Sequence, residues 1–172
     1  MKSAFVGLGS NLGDRRGNLA EALRLLAEQP GVSIVRGSSL YETKPVGLTA
    51  QPDFLNAVVE LSTAHPPPDL LAVCLAIERR LGRERRERWG PRTVDIDLLL
   101  VPGLTWQDAH LTLPHPRLHE RGFVLIPFNE IAPTATVVGV SIAELVRQVD
   151  NSGVRRVAAW AEWASARRES TT

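Results

Sequence analysis

Strand, helix, strand, strand, helix, strand is the order of elements the sequence dictates. It predicts an α+β fold built on the split βαβ unit of ferredoxin-like sheets. Three observations carry that prediction. Runs at residues 1–9 and 54–62 alternate apolar side chains with period two, two other segments repeat them at helical spacing, and Pro or Gly punctuates the joins. The expected core is a mainly antiparallel four-stranded sheet with helices on one face, followed by C-terminal additions.

In residues 1–9, Ala4, Val6 and Leu8 fall on one face, and the turn signal Ser-Asn-Leu-Gly-Asp follows. Asp14 is suited to cap a helix whose stripe is Leu19, Ala22, Leu23 and Leu26, and Pro30-Gly31 ends it. Residues 32–41, rich in β-branched side chains and Ser, predict a second strand. The two prolines and one glycine of 43–53 predict an irregular loop. From 54 to 62, Leu55, Ala57, Val59 and Leu61 point one way, and Phe54, Asn56, Val58 and Glu60 the other. Three prolines at 66–68 stop that strand. They lead into a helix with Asp69 in its first turn, Leu70, Val73, Cys74, Ile77 and Leu81 as its stripe, and Gly82 as its stop. Residues 93–101 predict a fourth strand, ended by Pro102-Gly103. Beyond it, 121–131 reads as helix despite Pro127, and Ser141-Ile142-Ala143-Glu144 is a capping box. Residues 154–163 admit either strand or helix.

A chain of 172 residues, 44% hydrophobic and 23% charged, makes one ordinary domain, here 1–164 with a fraying tail at 165–172. Twenty basic against nineteen acidic side chains leave a net charge of +1, so no global field recruits nucleic acid or membrane. No apolar run approaches the ~18 residues that would span a bilayer, and the stretch from Ala4 to Leu8 is too short for a secretory leader. The single cysteine, Cys74, cannot form an internal disulfide, and its place in an apolar stripe marks it as core. A cytoplasmic monomer acting on small molecules is the expectation.

Chemistry concentrates near residue 95. In Asp95-Ile96-Asp97, alternation puts both carboxylates on one face, their α-carbons about 6.6 Å apart. Hard oxygen ligands at that spacing suit Mg²⁺, although two Asp on a charged edge strand are the commoner occurrence. The preceding segment shifts the balance. Residues 78–92 carry seven arginines against three glutamates, a surplus of four, around Trp89-Gly90-Pro91. Guanidinium forks match phosphate oxygens in pairs, so cations beside metal-type carboxylates form a coherent polyphosphate site. The glycines of Gly7-Leu8-Gly9-Ser10-Asn11-Leu12-Gly13 fit neither the dinucleotide nor the Walker spacing, and are expected to shape a strand-to-helix turn. His115 and His119 lack the His-Glu-x-x-His pattern and are interrupted by Pro116, which favours a phosphate contact or a structural role over zinc. Phe54 and Asn56 share a strand face, an aromatic plate beside an amide, which suits a flat hydrogen-bonding heterocycle as well as it suits a half-buried core edge.

Five ordered blocks then resemble one family, the 6-hydroxymethyl-7,8-dihydropterin pyrophosphokinases of folate biosynthesis. They are Val6-Gly-Leu-Gly-Ser-Asn-Leu-Gly-Asp14, Ser39-Leu-Tyr-Glu-Thr-Lys-Pro-Val-Gly47, Gln51-Pro-Asp-Phe-Leu-Asn56, Arg88-Trp-Gly-Pro-Arg-Thr-Val-Asp-Ile-Asp97, and Leu113-Pro-His115 with Arg121-Gly-Phe123. The resemblance implies Mg²⁺-dependent transfer of diphosphate from ATP to the pterin hydroxymethyl oxygen, releasing AMP. It implies two Mg²⁺ at Asp95 and Asp97, and a pterin ring between Phe54 and Phe123. Asn56, Asp95 and the segment Thr43, Lys44, Pro45 and Val46 would meet the ring's edges. Glu78, Arg83, Arg85, Arg86, Trp89, Arg92, His115 and Arg121 would surround the triphosphate, with Arg83 and Arg92 closest to catalysis. Leu98, Leu111 and Thr112 would contact adenosine. Pro116, Leu75 and His110 depart from residues common in the family at those positions. The rival from another class is a nucleic-acid-binding ferredoxin-like module. Aromatics at 5% of the chain and the lack of an RNP-type aromatic strand weigh against it.

Overall fold

The computed structural model describes residues 1–44, 50–82 and 93–165. Strand β1 (Lys2–Ser10) runs through the sheet, Gly13 turns the chain at φ +66°, and α1 (Arg15–Ala27) follows. Asp14 caps that helix as its residue type predicts, accepting the Gly17 N–H at 3.0 Å. Residues 32–41 are not one strand. They form β2 (Val32–Gly37) and β3 (Leu40–Thr43), parted at Ser38 and Ser39. The break stays fastened to β4 (Phe54–Thr63), because Ser38 N donates to Val58 O at 2.9 Å and Val58 N donates to Ser38 Oγ at 3.0 Å. Serine supplies the side-chain acceptor that replaces a ladder bond at the kink.

Helix α2 (Pro67–Arg80) begins on the proline run and ends at Gly82, whose φ is +81° and whose N–H reaches Arg79 O at 3.1 Å. Strand β5 (Asp95–Leu100) then pairs with β1. β4 lies on the other side of β1 and carries both β2 and β3, the first along residues 59–63 and the second along 54–56. All these pairs are antiparallel, which gives the ferredoxin-like core. The ambiguous stretch 154–163 is both things in turn. β10 (Val154–Ala158) adds to β3 at the sheet edge and α5 (Trp160–Trp163) follows. Among the described residues the sheet therefore has six strands rather than four.

Helices α1 and α2 cover the face that carries Val6, Leu8, Ala57, Val59 and Ile96, and Trp163 is wholly buried in the same core. The opposite face is covered as well, by α3 (Gly122–Ile131) and α4 (Ile142–Gln148) packed on Phe5, Val58 and Leu99. The Phe5 and Phe128 rings lie 4.7 Å apart there. Helices on both faces, not one, follow from apolar residues on both faces of β1 and β5 at that end. Ser141 caps α4 through the Glu144 N–H at 3.2 Å. Among the described residues there are also two small hairpins, β6 (Trp106–Gln107) with β7 (Thr112–Leu113) and β8 (Thr136–Val137) with β9 (Val140–Ser141). Among the described residues no helix is long and apolar enough to cross a membrane.

Candidate active site

Register assembles the site. Gly9 of β1 stands opposite Asn56 on one side and Asp95 on the other, and Tyr41 of β3 stands opposite Asn56. One row across four strands thus reads Tyr41, Asn56, Gly9, Asp95. In the next rows, Thr43 opposes Phe54, and Gly7 lies between Val58 and Asp97. Directly opposed residues project to the same face, so an aromatic, an amide and two carboxylates meet on the α3 side of the sheet. A Cβ on Gly9 would lie 3.0 Å from Asn56 Oδ1 and 3.8 Å from Phe54 Cδ1. Gly7 and Gly9 are therefore strand residues, Gly9 keeping the floor low beneath Phe54 and Asn56 and Gly7 lying against the Leu99 side chain, and only Gly13 shapes the turn. Their period-two spacing within a strand was the sequence signal for this role.

Asn56 is nearly buried, and its Nδ2 donates to Thr43 Oγ1 at 2.9 Å, which fixes the amide's orientation. Asn11 Nδ2 donates to Gln51 Oε1 at 2.9 Å and to Pro52 O at 3.1 Å, and Arg15 Nη1 donates to Asp53 O at 2.9 Å. These bonds fasten the segment just before Phe54, a role that periodicity alone gives Asn11, Arg15 and Gln51 no reason to have. Lys44 follows β3 directly and is exposed.

Asp95 is half-buried and Asp97 exposed on edge strand β5, with Ile96 turned into the core between them. Ile96 N donates to Glu78 Oε1 at 2.8 Å, and Glu78 is 3% exposed. Glu78 is thus an internal brace from α2 to the backbone between the two aspartates, not an open polar contact. Leu98 and Leu111 are likewise core residues, and Thr112 sits half-buried in β7. Burial first, then the charges of Glu78 and Asp97, push the Cys74 thiol up to about 12, in keeping with a core thiol rather than a nucleophile.

His115 flanks the same region. Its backbone N–H donates to Leu99 O at 2.8 Å and its ring Nδ1 accepts the Arg117 backbone N–H at 3.1 Å, which leaves the ring hydrogen on Nε2. Burial, with Arg121 and then Arg117 nearby, lowers its pKa to about 4, so the ring is neutral at pH 7. The Arg121 guanidinium lies over the Phe123 ring, 5.7 Å from its centroid, and Phe123 stands in the first turn of α3, partly buried against the second core. Pro45, Val46, Arg83, Arg85, Arg86, Trp89 and Arg92 lie outside the described residues.

Fold and site together define a ferredoxin-like α+β protein with a polar, aromatic-edged sheet face beside a pair of strand carboxylates. Residues 5–133 match the sequence model of a family described as 7,8-dihydro-6-hydroxymethylpterin-pyrophosphokinase (HPPK). The chain is 47% identical to the 2-amino-4-hydroxy-6-hydroxymethyldihydropteridine pyrophosphokinase of Methylorubrum extorquens, over 91% of this chain and 99% of that protein. It is 43% identical to the Bacillus subtilis protein of the same name, over 88% of each. Among solved structures it is similar to wild-type HPPK-DHPS of Plasmodium falciparum with pteroate, with a TM-score of 0.65 at 17% identity over 86% of this chain. That alignment spans 42% of the larger solved chain and supports the fold. The chain belongs to the HPPK family, and its reaction is pyrophosphoryl transfer in folate biosynthesis. The nucleic-acid-binding alternative gains no support from these relationships.

Proposed function

We propose that the sheet face divides the reaction between two neighbouring subsites. A dihydropterin ring stacks between Phe54 and Phe123, with its edges met by Asn56 and the Thr43–Lys44–Pro45–Val46 segment. ATP lies beyond it, against Asp95, Asp97, His115 and Arg121, with Arg83 and Arg92 closest to the transferred group, Arg85, Arg86 and Trp89 around the phosphates, and Thr112, backed by the core residues Leu98 and Leu111, toward adenosine. The single observation carrying this reading is the cross-strand row in which Gly9 separates Asn56 from Asp95.

The donor set fits Mg²⁺. Among the described residues no group of three or more His, Cys, Asp and Glu could hold a metal, so Asp95 and Asp97 would act with water and phosphate oxygens, the partial shell Mg²⁺ favours. When bound there as two ions, it would neutralise phosphate charge and acidify a bound hydroxyl. The protein's own contribution is positioning and charge. Asn56, held by Thr43, orients the ring so that the hydroxymethyl oxygen faces Pβ. A bond forms from that oxygen to Pβ as the bond from Pβ to the oxygen it shares with Pα breaks, AMP leaves carrying that oxygen, and the hydroxyl proton passes to solvent. His115 contributes an Nε2–H donor and Arg121 a guanidinium to the phosphates. Glu78 holds the strand between the carboxylates in place. The protein works as a monomer on small molecules in the cytoplasm, without nucleic acid.

Incubation with ATP, Mg²⁺ and 6-hydroxymethyl-7,8-dihydropterin should yield AMP, and formation of ADP instead would overturn the reading. Asp97→Ala should lower kcat by about a thousandfold or more, the loss of several kcal/mol of transition-state stabilisation, with an unchanged circular-dichroism spectrum. Turnover near that of the parent protein would remove the metal assignment.

A further inference from the structure

Glu130 lies seven residues after Phe123 on α3, about 10.5 Å along the same helix face. Its carboxylate collects donors from β3 and the break before it. Ser39 N donates to Oε2 at 2.7 Å, Ser39 Oγ to Oε1 at 2.6 Å, and Tyr41 Oη to Oε2 at 3.3 Å. Arg156 of β10 closes the cluster, its Nε donating to Ser39 Oγ at 2.8 Å. Ser39 and Tyr41 are buried, and Tyr41 is the cross-strand neighbour of Asn56. One end of α3 therefore carries Phe123, and the other is tied to the strand that carries Thr43, the partner of Asn56.

We propose that Glu130 is a positioning residue: it registers α3 against β3 and so sets the gap between Phe123 and the Phe54–Asn56 floor. This rests on the aromatic subsite proposed above. A carboxylate meets the need because it can accept bonds to the backbone, hydroxyl and phenol donors of a strand interrupted at that point, whereas an apolar side chain would leave Ser39 N and Tyr41 Oη unmatched. Nothing in the chemistry requires Glu130 to touch substrate. Its effect reaches the site only through the spacing of two elements.

The protein offers a direct optical reporter, because Tyr41 is its one tyrosine. Burial raises the phenol pKa to about 12, helped by the Glu130 charge and hydrogen bond and opposed by Arg156. In Glu130→Gln, ultraviolet titration of tyrosinate should show the phenol ionising at lower pH, and an unmoved titration would overturn the contact. Binding of 6-hydroxymethyl-7,8-dihydropterin should weaken about tenfold in Glu130→Ala, with the Kd of a non-hydrolysable ATP analogue and Mg²⁺ changed less than about twofold. Glu130→Gln, which keeps an acceptor for Ser39 and preserves the fold, should recover most of the pterin affinity. Equal weakening of both ligands would reduce Glu130 to a general stabiliser and overturn the proposal. Phe54→Ala separates the two levels of the argument. Pterin affinity lost in Phe54→Ala but kept in Glu130→Ala overturns the role of Glu130 alone, and affinity kept in both overturns the aromatic subsite with it.

Discussion

At His115, burial and the positive charge of two arginines act in the same direction, and the backbone N–H of Arg117 occupies the nitrogen a proton would need. Proton NMR should therefore show the ring titrating near pH 4, well below the ordinary histidine value of about 6.5. The sign for stability follows from which state binds the proton first. In the unfolded chain His115 protonates near pH 6.5, while the folded ring resists until about 4, so stability should fall as the pH drops through that window. His115→Gln should flatten that part of the stability curve, and a curve unchanged by the substitution would contradict the assignment. Gly9 makes a second residue-scale test. A methyl there would press on Asn56 Oδ1 at 3.0 Å, and the amide cannot yield without disturbing its bond to Thr43. Gly9→Ala should cost about 1–3 kcal/mol in urea unfolding and weaken pterin binding more than nucleotide binding. Equal effects on the two ligands would mean that Gly9 serves the strand and not the floor.

The elements show which parts of the fold can be read locally and which cannot. Strands β1 and β4 and helices α1 and α2 are where alternation, the cap at Asp14 and the stop at Gly82 put them, because each of those signals lies within a few residues of sequence. The division of β2 from β3 is not local. It depends on Trp163 Nε1 donating to Ser38 O at 2.9 Å and on Trp160 packing where a Cβ of Gly37 would sit, 2.1 Å from Cζ3, contacts more than 120 positions away along the chain. Nothing near residue 38 announces them. Trp163→Ala should cost about 3–5 kcal/mol, measured by urea unfolding, since it empties a fully buried indole volume and removes the Ser38 contact. A loss under about 1 kcal/mol would show that α5 is dispensable to the sheet edge. The β8–β9 hairpin offers the opposite sign. Val138, exposed and at φ +50°, holds a conformation that suits Gly or Asn, so Val138→Gly should raise stability, with relief of about 1–2 kcal/mol of left-handed strain partly offset by the entropy of the new glycine. A lower Tm would overturn that account.

Across the whole molecule, the candidate site draws on residues scattered from Gly9 to Phe123, and only their chemistry, not their neighbourhood, is visible in the sequence. Asp95 with Asp97 and Phe54 with Asn56 are legible as pairs because alternation within one strand suffices. That the two pairs share a face with Gly9 between them depends on antiparallel register, which joins strands more than thirty residues apart. The placement of Glu78 under β5 is hidden for the same reason, since a glutamate at a helix end gives no sign of lying 3% exposed. This separation makes a testable statement about energetics. Ligands that bind only the folded protein stabilise it by about 2.7 kcal/mol at a hundred times their Kd, and for a chain of 172 residues each kcal/mol raises Tm by about 2–4 °C. The dihydropterin alone and the ATP analogue with Mg²⁺ alone should each raise Tm by about 5–11 °C under those conditions. In Asp97→Ala, tested at the ligand concentrations set for the parent protein, the magnesium-dependent nucleotide shift should shrink sharply while the pterin shift persists, because the carboxylate stands a full row beyond the Asn56–Gly9 floor. Loss of both shifts together would mean that the acidic pair and the aromatic floor form one indivisible site, and the two-subsite division of the sheet face would fail.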